Sequence, residues 1–312
     1  MSRSIALEVI RARSNLYRLI RQYFELSDVL EVEVPVIGSV GTTDPQIQSF
    51  RVCGDVSEAF LQTSPEFFLK RLLAETHCSC FAITKAFRDE ERGRRHNPEF
   101  SMLEWYRVGY ELEAIIQDCV DLVQQCLETE KQVHYETYSS VFEKHLNIDP
   151  HRANLADLQH LISRRTSFSG SCDSVTEALQ LLLVSEIEPK MEGITILRDF
   201  PVEQVALAQT GNDASGQKIA KRFELYLDGV ELANGYQELI DPVVQRARFE
   251  QDNQLRQKTG KLPQPIDEKL LVAMEKGLPE CSGVSIGLDR LLMAKLGLED
   301  IDSVILFPWA DA

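Results

Sequence analysis

Two segments in which apolar and polar residues alternate lie on either side of a short, highly charged stretch. They restrict the fold more than any other feature of the sequence. The segments are CFAITKAF and FSMLEWYRV, and the stretch between them holds four arginines, four carboxylates, a histidine and an asparagine. Alternation with a period of two indicates a β-strand. The sequence therefore predicts an antiparallel hairpin with more charge in its loop than a simple turn needs.

The same alternation predicts which side chains share a face of each strand. On the first strand the face is made of Ala82, Thr84, Ala86, Arg88 and Glu90. On the second it is made of Phe100, Met102, Glu104 and Tyr106. A carboxylate and a phenol in a mainly apolar strand are costly to bury alone, so they indicate a ligand or a paired cation. The alternative is a solvated hairpin whose charges pair with one another.

Composition excludes several classes of function. The formal net charge of the 312 residues is −16, so a large nucleic-acid interface is not expected. There is no apolar run long enough for a membrane helix and no secretory signal at the start, and we expect a cytoplasmic protein. Seven cysteines without a CxxC pair predict neither a disulfide framework nor a zinc site.

The other segments predict helices and short strands. A long amphipathic helix runs from about Leu7 to Tyr23 and leads into the strand-like LEVEVPVI. In TSPEFFLKRLLAETH, Thr63 and Glu66 match a capping box at a helix start. Residues 112–209 look mostly helical and resemble an insertion. Asp228-Gly229 between alternating arms predicts a type I′ hairpin.

A second candidate site is GVELANGYQEL. Glu231 and Glu238 are seven residues apart, so a flat strand would point them to opposite faces. A bulge or kink at Asn234-Gly235 would bring them to one side, where two carboxylates suit a phosphate-bound Mg²⁺. The alternative is an exposed hairpin arm with unrelated acids.

A third candidate site is GVSIGLDR near the end of the chain. Gly283, Ser285 and Gly287 form a strand face without bulk, which permits a flat ligand or another backbone to approach. Arg290 falls in the first turn of the next helix, where it could meet a phosphate. The alternative is close strand-to-helix packing with Arg290 exposed.

Taken together, the three sites suit a nucleoside triphosphate with Mg²⁺ lying on an antiparallel sheet. Arg88 would neutralise the α-phosphate, Glu90 would meet the base, and Phe100 would stack on it.

These segments resemble the three signature motifs of class II aminoacyl-tRNA synthetases, over nearly the whole chain. The long helix and strand ending at Pro35 match the first motif, FRDEERGRRHNPEFSMLEWY the second, and GVSIGLDR the third. SPEFFLKRL, RHNPEF, MLEWY and VELANGYQEL are most similar to lysyl-tRNA synthetases. Those enzymes carry an OB-fold anticodon-binding domain before the catalytic one, but here the first motif begins almost at Met1. The chain is therefore similar to the elongation factor P lysine ligases, a paralogous branch without that domain.

The resemblance implies an α+β fold: one catalytic domain over residues 1–312, with an antiparallel sheet flanked by helices and a helical insertion at about 112–209. It implies a homodimer that uses ATP and Mg²⁺ to activate (R)-β-lysine or lysine for transfer to elongation factor P. The implied ATP-binding residues are Arg88, Asp89, Glu90, His96, Asn97, Phe100, Glu231, Leu232, Gly287 and Arg290. The implied amino-acid-binding residues are Ser64, Pro65, Glu66, Glu104, Tyr106 and Glu238. Among these, the catalytic roles go to Arg88, Glu238 and Arg290, and Mg²⁺ is assigned to Glu231 and Glu238.

Three positions depart from the pattern of the resembled families. Asp89 stands where the ligases more often have Asn, and Ser285 stands where the synthetases have Gly and the ligases Ala. Ser64 matches the ligases where the synthetases usually carry Ala. We interpret the two serines as adapting the pocket floor to an amine on the β carbon. Two alternatives remain open: a lysine-activating ligase with another acceptor, and an inactive synthetase paralogue with a regulatory role.

Overall fold

The computed structural model describes residues 7–54 and 58–312, which form two compact units. The first unit comprises Met1–Thr129 and Glu238–Ala312, and the second comprises Glu130–Gln237. Each unit contains both helices and strands, which confirms the predicted α+β class. The prediction of one domain over residues 1–312 stays a prediction.

The elements follow one another along the chain in three groups. The first unit begins with α1 (Leu7–Leu26), β1 (Leu30–Glu31), β2 (Ile37–Gly38), β3 (Arg51–Val52), β4 (Ala59–Leu61), α2 (Glu66–Thr76), β5 (Cys80–Phe87), β6 (Glu99–Val108) and α3 (Leu112–Leu127). The second unit contains β7 (Val133–Thr137), α4 (Tyr138–Leu146), α5 (Leu155–Arg165), α6 (Val175–Leu182), β8 (Ile194–Phe200), β9 (Thr210–Asn212), β10 (Lys218–Leu227) and β11 (Val230–Gln237). The first unit then ends with α7 (Pro242–Lys258), α8 (Glu268–Gly277), β12 (Cys281–Gly287) and α9 (Leu288–Leu296). Short helical turns lie at Leu183–Ile187, Glu188–Lys190, Val202–Gln204 and Ile301–Ser303.

In the first unit, β5 and β6 form the predicted antiparallel hairpin, β12 pairs antiparallel with β6, and β1 pairs parallel with β5. The register places Ala82 opposite Glu104, and Glu104 opposite Ser285. It also places Tyr106 opposite Gly283. The small and polar residues predicted to share a face are therefore adjacent across three strands.

The other face of this sheet is packed against α1. Phe81 pairs with Trp105 across the strands, and Phe24 of α1 lies 4.4 Å from Phe81 and 5.4 Å from Trp105 between ring centroids. All three rings are at most 2% exposed. Truncating a buried phenylalanine or tryptophan to alanine typically lowers the stability of a protein by about 3 to 5 kcal/mol. The apolar face thus fixes α1, and the opposite face is left for the candidate site.

In the second unit, β11, β10 and β8 pair antiparallel in that order, β7 pairs parallel with β8, and β9 pairs with β10. The predicted hairpin turn is confirmed: Asp228 has φ 47° and Gly229 has φ 75°, as a type I′ turn requires. A Cβ on Gly229 would lie 2.3 Å from the carbonyl oxygen of Glu188, so only glycine fits.

The structure corrects three predictions about local structure. The β-strands β7 and β8 lie inside the stretch predicted to be mostly helical. The irregularity in β11 is at Leu232, since Leu225 pairs with Ala233 but Tyr226 pairs with Glu231, whereas the register is regular at Asn234 and Gly235. A bulge shifts the alternation of side chains wherever it falls, so Glu231 still changes face relative to a flat strand.

The third correction concerns the start of α2. Pro65 is its N-cap, and no side chain caps the helix from Thr63. The hydroxyl of Ser64 accepts a hydrogen bond from the backbone N–H of Glu66 instead (3.0 Å). The Glu66 carboxylate cannot complete a capping box because it pairs with Lys70.

Three further observations bear on function. Within residues 7–54 and 58–312, no helix is long and apolar enough to cross a membrane. The seven cysteines are free thiols, of which Cys53 and Cys78 are exposed. The described residues contain no group of three or more His, Cys, Asp or Glu side chains placed to hold a metal ion.

Candidate active site

Six side chains of the first unit form a group that we call the acidic pocket. Helix α2 and the turn before it supply three of them, β6 supplies two, and the residue that follows β11 supplies one. Its members are Ser64, Glu66, Lys70, Glu104, Tyr106 and Glu238. The first unit thus brings together all the amino-acid-binding residues predicted from the sequence except Pro65, which is the N-cap beside them.

Glu104 is held by two hydroxyl groups. Its Oε2 accepts a hydrogen bond from Ser64 (2.7 Å), and its Oε1 accepts one from Tyr106 (2.8 Å). The residue is only 3% exposed. Burial, with the charge of Glu66 adding to it, raises the pKa of Glu104 to about 8, although the two hydroxyl groups oppose the shift. A cation bound next to Glu104 would favour the ionised form of its carboxyl group and would lower its pKa again.

Lys70 lies between the two other carboxylates of the pocket. Its Nζ is 2.6 Å from Glu66 Oε1 and 2.6 Å from Glu238 Oε2. The side chains of Lys70 and Glu238 are each 1% exposed, whereas that of Glu66 is 16% exposed. Burial alone would lower the pKa of Lys70, but the charges of Glu238 and Glu66 outweigh it and raise the pKa. Lys70 is therefore a buried ammonium group with two carboxylate partners.

Gly283 makes this arrangement sterically possible. A Cβ at this position would lie 2.4 Å from Cε1 of Tyr106 and 2.7 Å from Oε1 of Glu238. The close approach that the sequence predicted here is thus made by side chains of the pocket. At Gly287 a Cβ would meet only Arg290, at 4.0 Å, so that end of the strand stays open to a flat ligand.

Arg88 and Phe100 lie together at the end of the hairpin. The Arg88 guanidinium carbon is 5.2 Å from the centre of the Phe100 ring, within the range of a cation–π contact. Its Nε donates to the backbone oxygen of Thr63 (3.4 Å), and an Nη lies 3.5 Å from Glu91. Since Thr63 precedes Ser64, Arg88 is adjacent to the acidic pocket.

The loop after Arg88 is fixed by backbone contacts. The N–H of Asp89 donates to the backbone oxygen of Gln48 (2.8 Å). The Asp89 carboxylate accepts the N–H of Glu90 (2.9 Å), and Glu90 is exposed with φ 68°. A non-glycine residue with positive φ is uncommon and needs such support. The predicted contact of Glu90 with the base of ATP stays a prediction.

The C-terminal segment of the chain holds the charged loop. Asn97 is buried, donates to the backbone oxygen of Glu99 (2.6 Å), and accepts the backbone N–H of Trp309 (3.1 Å). The guanidinium of Arg92 lies 5.0 Å from the centre of the Trp309 ring, and Arg94 pairs with Glu299. Asn97, which was predicted to lie near the nucleotide, therefore also ties the loop to the C-terminal segment.

Arg290 meets the same loop from α9. One of its Nη atoms is 2.6 Å from Nε2 of His96, and its Nε donates to the backbone oxygen of Arg95 (3.3 Å). Arg290 is the third residue of α9, as predicted, so it stands near the positive end of the helix dipole. Val284, Ile286 and Leu288 are buried as predicted. The structure thus brings together His96 and Arg290, two of the predicted ATP ligands.

The proposed magnesium ligands are placed differently from one another. Glu238 is fully buried and already pairs with an ammonium group, so in this arrangement it does not fit Mg²⁺, an ion that keeps several water ligands. Glu231 and Leu232 belong to the second unit, where the half-buried Glu231 lies near Glu224 and Arg222. Their assignment to ATP and Mg²⁺ stays a prediction.

Lys70 and Trp309 are the site residues that the sequence analysis missed. Glu66 and Lys70 have the i,i+4 spacing of an ordinary surface ion pair on a helix. A signal was nevertheless present, because Lys70 follows Leu69 and precedes Leu73 and Ala74, which are the apolar residues of the buried face of α2. Nothing in the sequence pattern marked Trp309.

Comparisons with known proteins show the family to which the chain belongs. The family model described as tRNA synthetases class II (D, K and N) matches residues 1–311. A relative from Vibrio parahaemolyticus is 40% identical over 314 residues, which cover 97% of this chain and 96% of the relative. A relative from Klebsiella pneumoniae is 42% identical over 299 residues (92% and 91%), and one from Proteus mirabilis is 38% identical over 315 residues (98% and 96%). All three are named elongation factor P--(R)-beta-lysine ligase.

The family model spans nearly the whole chain, and the relatives match it over more than 90% of its length. The chain therefore belongs to the class II tRNA synthetase family of the D, K and N group.

Proposed function

We propose that this protein uses ATP to activate (R)-β-lysine and transfers it to the ε-amino group of a lysine on elongation factor P. The observation that carries the proposal is the acidic pocket beside Arg88: three carboxylates, buried or nearly so, suit a substrate with two ammonium groups. The names of the relatives, which match over more than 90% of the chain, support the same activity. ATP use follows from membership of a family of ATP-dependent ligases.

In the first step a carboxylate oxygen of the amino acid attacks the α-phosphorus of ATP. The bond from that phosphorus to the bridging oxygen breaks, and pyrophosphate leaves with an aminoacyl-adenylate as the other product. The attacking carboxylate is already ionised at neutral pH, so this step needs no general base. Arg88 supplies positive charge next to the pocket, and the pocket fixes the orientation of the amino acid.

In the second step the neutral ε-amino group of the acceptor lysine attacks the carbonyl carbon of the adenylate. A C–N bond forms, the C–O bond to phosphate breaks, AMP leaves, and the amine loses a proton. We assign the binding of pyrophosphate and of the acceptor protein to four exposed side chains of the charged loop, namely Arg92, Arg94, Arg95 and His96. Gly287 and Arg290 are assigned to the adenine and the γ-phosphate of ATP, and Arg290 lies 2.6 Å from His96 of the loop.

Magnesium is proposed to accompany ATP, where it would neutralise phosphate charge. Glu231 is the predicted carboxylate that stays a candidate ligand, since Glu238 is committed to Lys70 in this structure. None of the steps above is assigned to a metal-bound group.

We also propose a homodimer in the cytoplasm, where an acceptor that acts in translation is found. Exposed apolar side chains on α1 and the strands after it, namely Leu26 (88% exposed), Leu30 (53%) and Ile37 (49%), support an interface along this segment. The charge of −16 argues against a large nucleic-acid interface. Sedimentation at several protein concentrations tests the dimer, and a monomer at every concentration would contradict it.

The proposal is tested by incubating the protein with ATP, (R)-β-lysine and purified elongation factor P, and by measuring the intact mass of the factor. The expected result is a mass gain of one β-lysyl group, lost when the acceptor lysine is replaced. Adenylate formation without modification of the factor would point to another acceptor. Absence of adenylate with every lysine isomer would contradict the proposed function.

A further inference from the structure

An arginine of α1 contacts the first turn of α9, the helix that carries a predicted ATP ligand. One Nη of Arg13 lies 2.5 Å from Oδ1 of Asp289 and also donates to the backbone oxygen of Val304 (2.9 Å). The other Nη donates to the hydroxyl of Tyr17, one turn further along α1 (3.3 Å). The side chain of Asp289 is 3% exposed and that of Arg13 is 17% exposed. The two residues therefore form a nearly buried ion pair across 276 positions of the chain.

The second oxygen of Asp289 holds a backbone group of β6. The last pair in the register of β6 and β12 is Met102 with Gly287. Ser101 lies one residue beyond that pair, next to the point where β12 ends. Oδ2 of Asp289 accepts the backbone N–H of Ser101 (2.7 Å), and Ser101 is only 3% exposed. A buried N–H without an acceptor is costly, so this carboxylate completes the hydrogen bonding of the strand end.

Both ends of this hydrogen bond lie next to side chains that are predicted to bind ATP. Ser101 follows Phe100, whose ring is predicted to stack on the base. Asp289 precedes Arg290, which is assigned to the γ-phosphate side of the site. The hydrogen bond thus sets the distance between the two backbone segments that carry these ligands. Binding groups must be placed to within a fraction of an ångström, so a shift of this strand end would weaken the grip on ATP.

Asp289 can hold this backbone group only while its own charge is balanced. A buried carboxylate without a cation is strongly unfavourable, and removing one partner of a buried pair costs more than replacing both. Arg13 supplies the cation, and its guanidinium is fixed in place by Tyr17 and Val304. Without Arg13, the carboxylate would gain from turning toward water, and it would then release the N–H of Ser101.

We propose that Arg13 is a positioning residue of the ATP site: by neutralising Asp289, it keeps that carboxylate on the N–H of Ser101. The strand end and the helix start that carry Phe100 and Arg290 are thereby held at a fixed distance. Arg13 acts through Asp289 and does not touch the nucleotide. This inference rests on the proposed function for the assignment of Phe100 and Arg290 to ATP.

Two substitutions separate this role from direct contact between Arg13 and ATP. Arg13→Met removes the cation and leaves Asp289 as a buried, unpaired charge. Asp289→Asn removes the charge but keeps an oxygen that can accept the N–H of Ser101. The double variant therefore contains no unpaired charge from this pair and keeps the hydrogen bond. If Arg13 touched ATP, adding Asp289→Asn to Arg13→Met would not restore binding.

The readout is the binding of MgATP and, separately, of (R)-β-lysine, each measured by isothermal titration calorimetry with the other ligand absent. We expect Arg13→Met to weaken ATP binding at least about tenfold, because the unpaired carboxylate releases the strand end. Asp289→Asn and the double variant should bind ATP within about threefold of the wild type. Arg13→Lys keeps the charge with fewer donors and should lie between the wild type and Arg13→Met. All four variants should bind (R)-β-lysine within about twofold of the wild type, because none of them changes the acidic pocket.

A purely structural role of the pair predicts a different result. If the pair only fastened α1 to α9, Arg13→Met would lower the free energy of unfolding in urea and leave the ATP affinity of the folded protein unchanged. That result would overturn the proposal, and so would a double variant that binds ATP as weakly as Arg13→Met. A matched control is Arg21→Met on the same helix, which removes an exposed ion pair with Glu31 (2.9 Å) and should leave ATP binding unchanged.

If Arg13→Met does not fold, two double variants without a buried charge decide the question. Arg13→Met with Asp289→Leu differs from Arg13→Met with Asp289→Asn in lacking the acceptor for the N–H of Ser101. We expect the variant with leucine to bind ATP at least about fivefold more weakly than the variant with asparagine. Equal affinities of the two would overturn the proposal.

The outcome is separable from that of the proposed function. A wild type that binds ATP, with the expected order among the variants, but forms no adenylate with any lysine isomer would contradict the proposed function and leave the role of Arg13 standing. A protein that modifies elongation factor P, but whose Arg13→Met variant binds ATP like the wild type, would contradict only the role of Arg13.

Discussion

Replacing Glu104 by glutamine is expected to stabilise the ligand-free protein at alkaline pH and to weaken binding of the amino acid. The substitution keeps the shape of the side chain. The hydroxyl groups of Ser64 and Tyr106, which now donate to the carboxylate, can each either donate to or accept from an amide. The main change is therefore the loss of a buried ionisable group.

The magnitude follows from the pKa of Glu104. Burial and the charge of Glu66 raise it to about 8 from the usual 4.5, and the charge of Glu238 acts in the same direction. Below pH 4.5 the group is protonated in both the folded and the unfolded protein. Between these values the unfolded chain loses the proton while the folded protein keeps it, so the stability that the group contributes is lost as the pH rises through about 8. At about 1.4 kcal/mol for each pH unit, the full cost is at most about 5 kcal/mol.

Urea unfolding at pH 5 and at pH 9 tests this reasoning. The glutamine variant should be more stable than the wild type by about 1 kcal/mol or less at pH 5 and by several kcal/mol, up to about 5, at pH 9. Glu99→Gln, at the exposed end of the same strand, should change stability by less than about 0.5 kcal/mol at both values. A difference between Glu104→Gln and the wild type that is the same at pH 5 and pH 9 would refute the argument. In ATP–pyrophosphate exchange at pH 8, we expect the variant to raise the amino-acid KM at least about tenfold with the ATP KM unchanged.

Three other predictions concern ATP and the acceptor. Arg88→Ala should lower the rate of adenylate formation by at least about 10² to 10³, measured by pyrophosphate exchange, and a loss below tenfold would count against its role at the α-phosphate. Trp309→Ala removes the ring beside Arg92 and should raise the ATP KM about two- to fivefold without changing the amino-acid KM, whereas Phe307→Ala on the same segment should change neither. Arg95→Ala should weaken acceptor binding a few-fold at low salt and less at high salt, and identical salt curves for variant and wild type would exclude this residue from the acceptor interface.

The strand hairpin and its shared face could be predicted because one face is apolar and the other is not. With Phe81 and Trp105 on the buried side, the register across β5, β6 and β12 follows, and so does the position of Glu104 opposite Ala82 and Ser285. Strand β7, with the sequence VHYET, was missed because its side chains are exposed or half-buried and show no clear alternation. Strand β8 is almost fully buried, and a short apolar run cannot be distinguished from a helix by its periodicity alone.

The members of the candidate site could be predicted from motifs, but their partners could not. The sequence placed Glu66 and Glu238 near an amine, yet their shared ammonium group comes from Lys70, whose spacing from Glu66 is that of a surface ion pair. The bulge in β11 was expected at the glycine but falls at Leu232, since its position depends on pairing with β10 and not on local flexibility. The tie between Asn97 and Trp309 joins residues 212 positions apart, a distance at which no local pattern operates.

The most direct test of the account is ATP–pyrophosphate exchange by the wild-type protein with (R)-β-lysine, α-lysine and norleucine. Norleucine matches α-lysine in chain length but lacks the second ammonium group. We expect exchange with (R)-β-lysine. We expect kcat/KM for norleucine to be lower than that for (R)-β-lysine by at least about 10², because norleucine brings one ammonium group to the acidic pocket instead of two. Comparable exchange with norleucine, or no exchange with either lysine isomer, would contradict it.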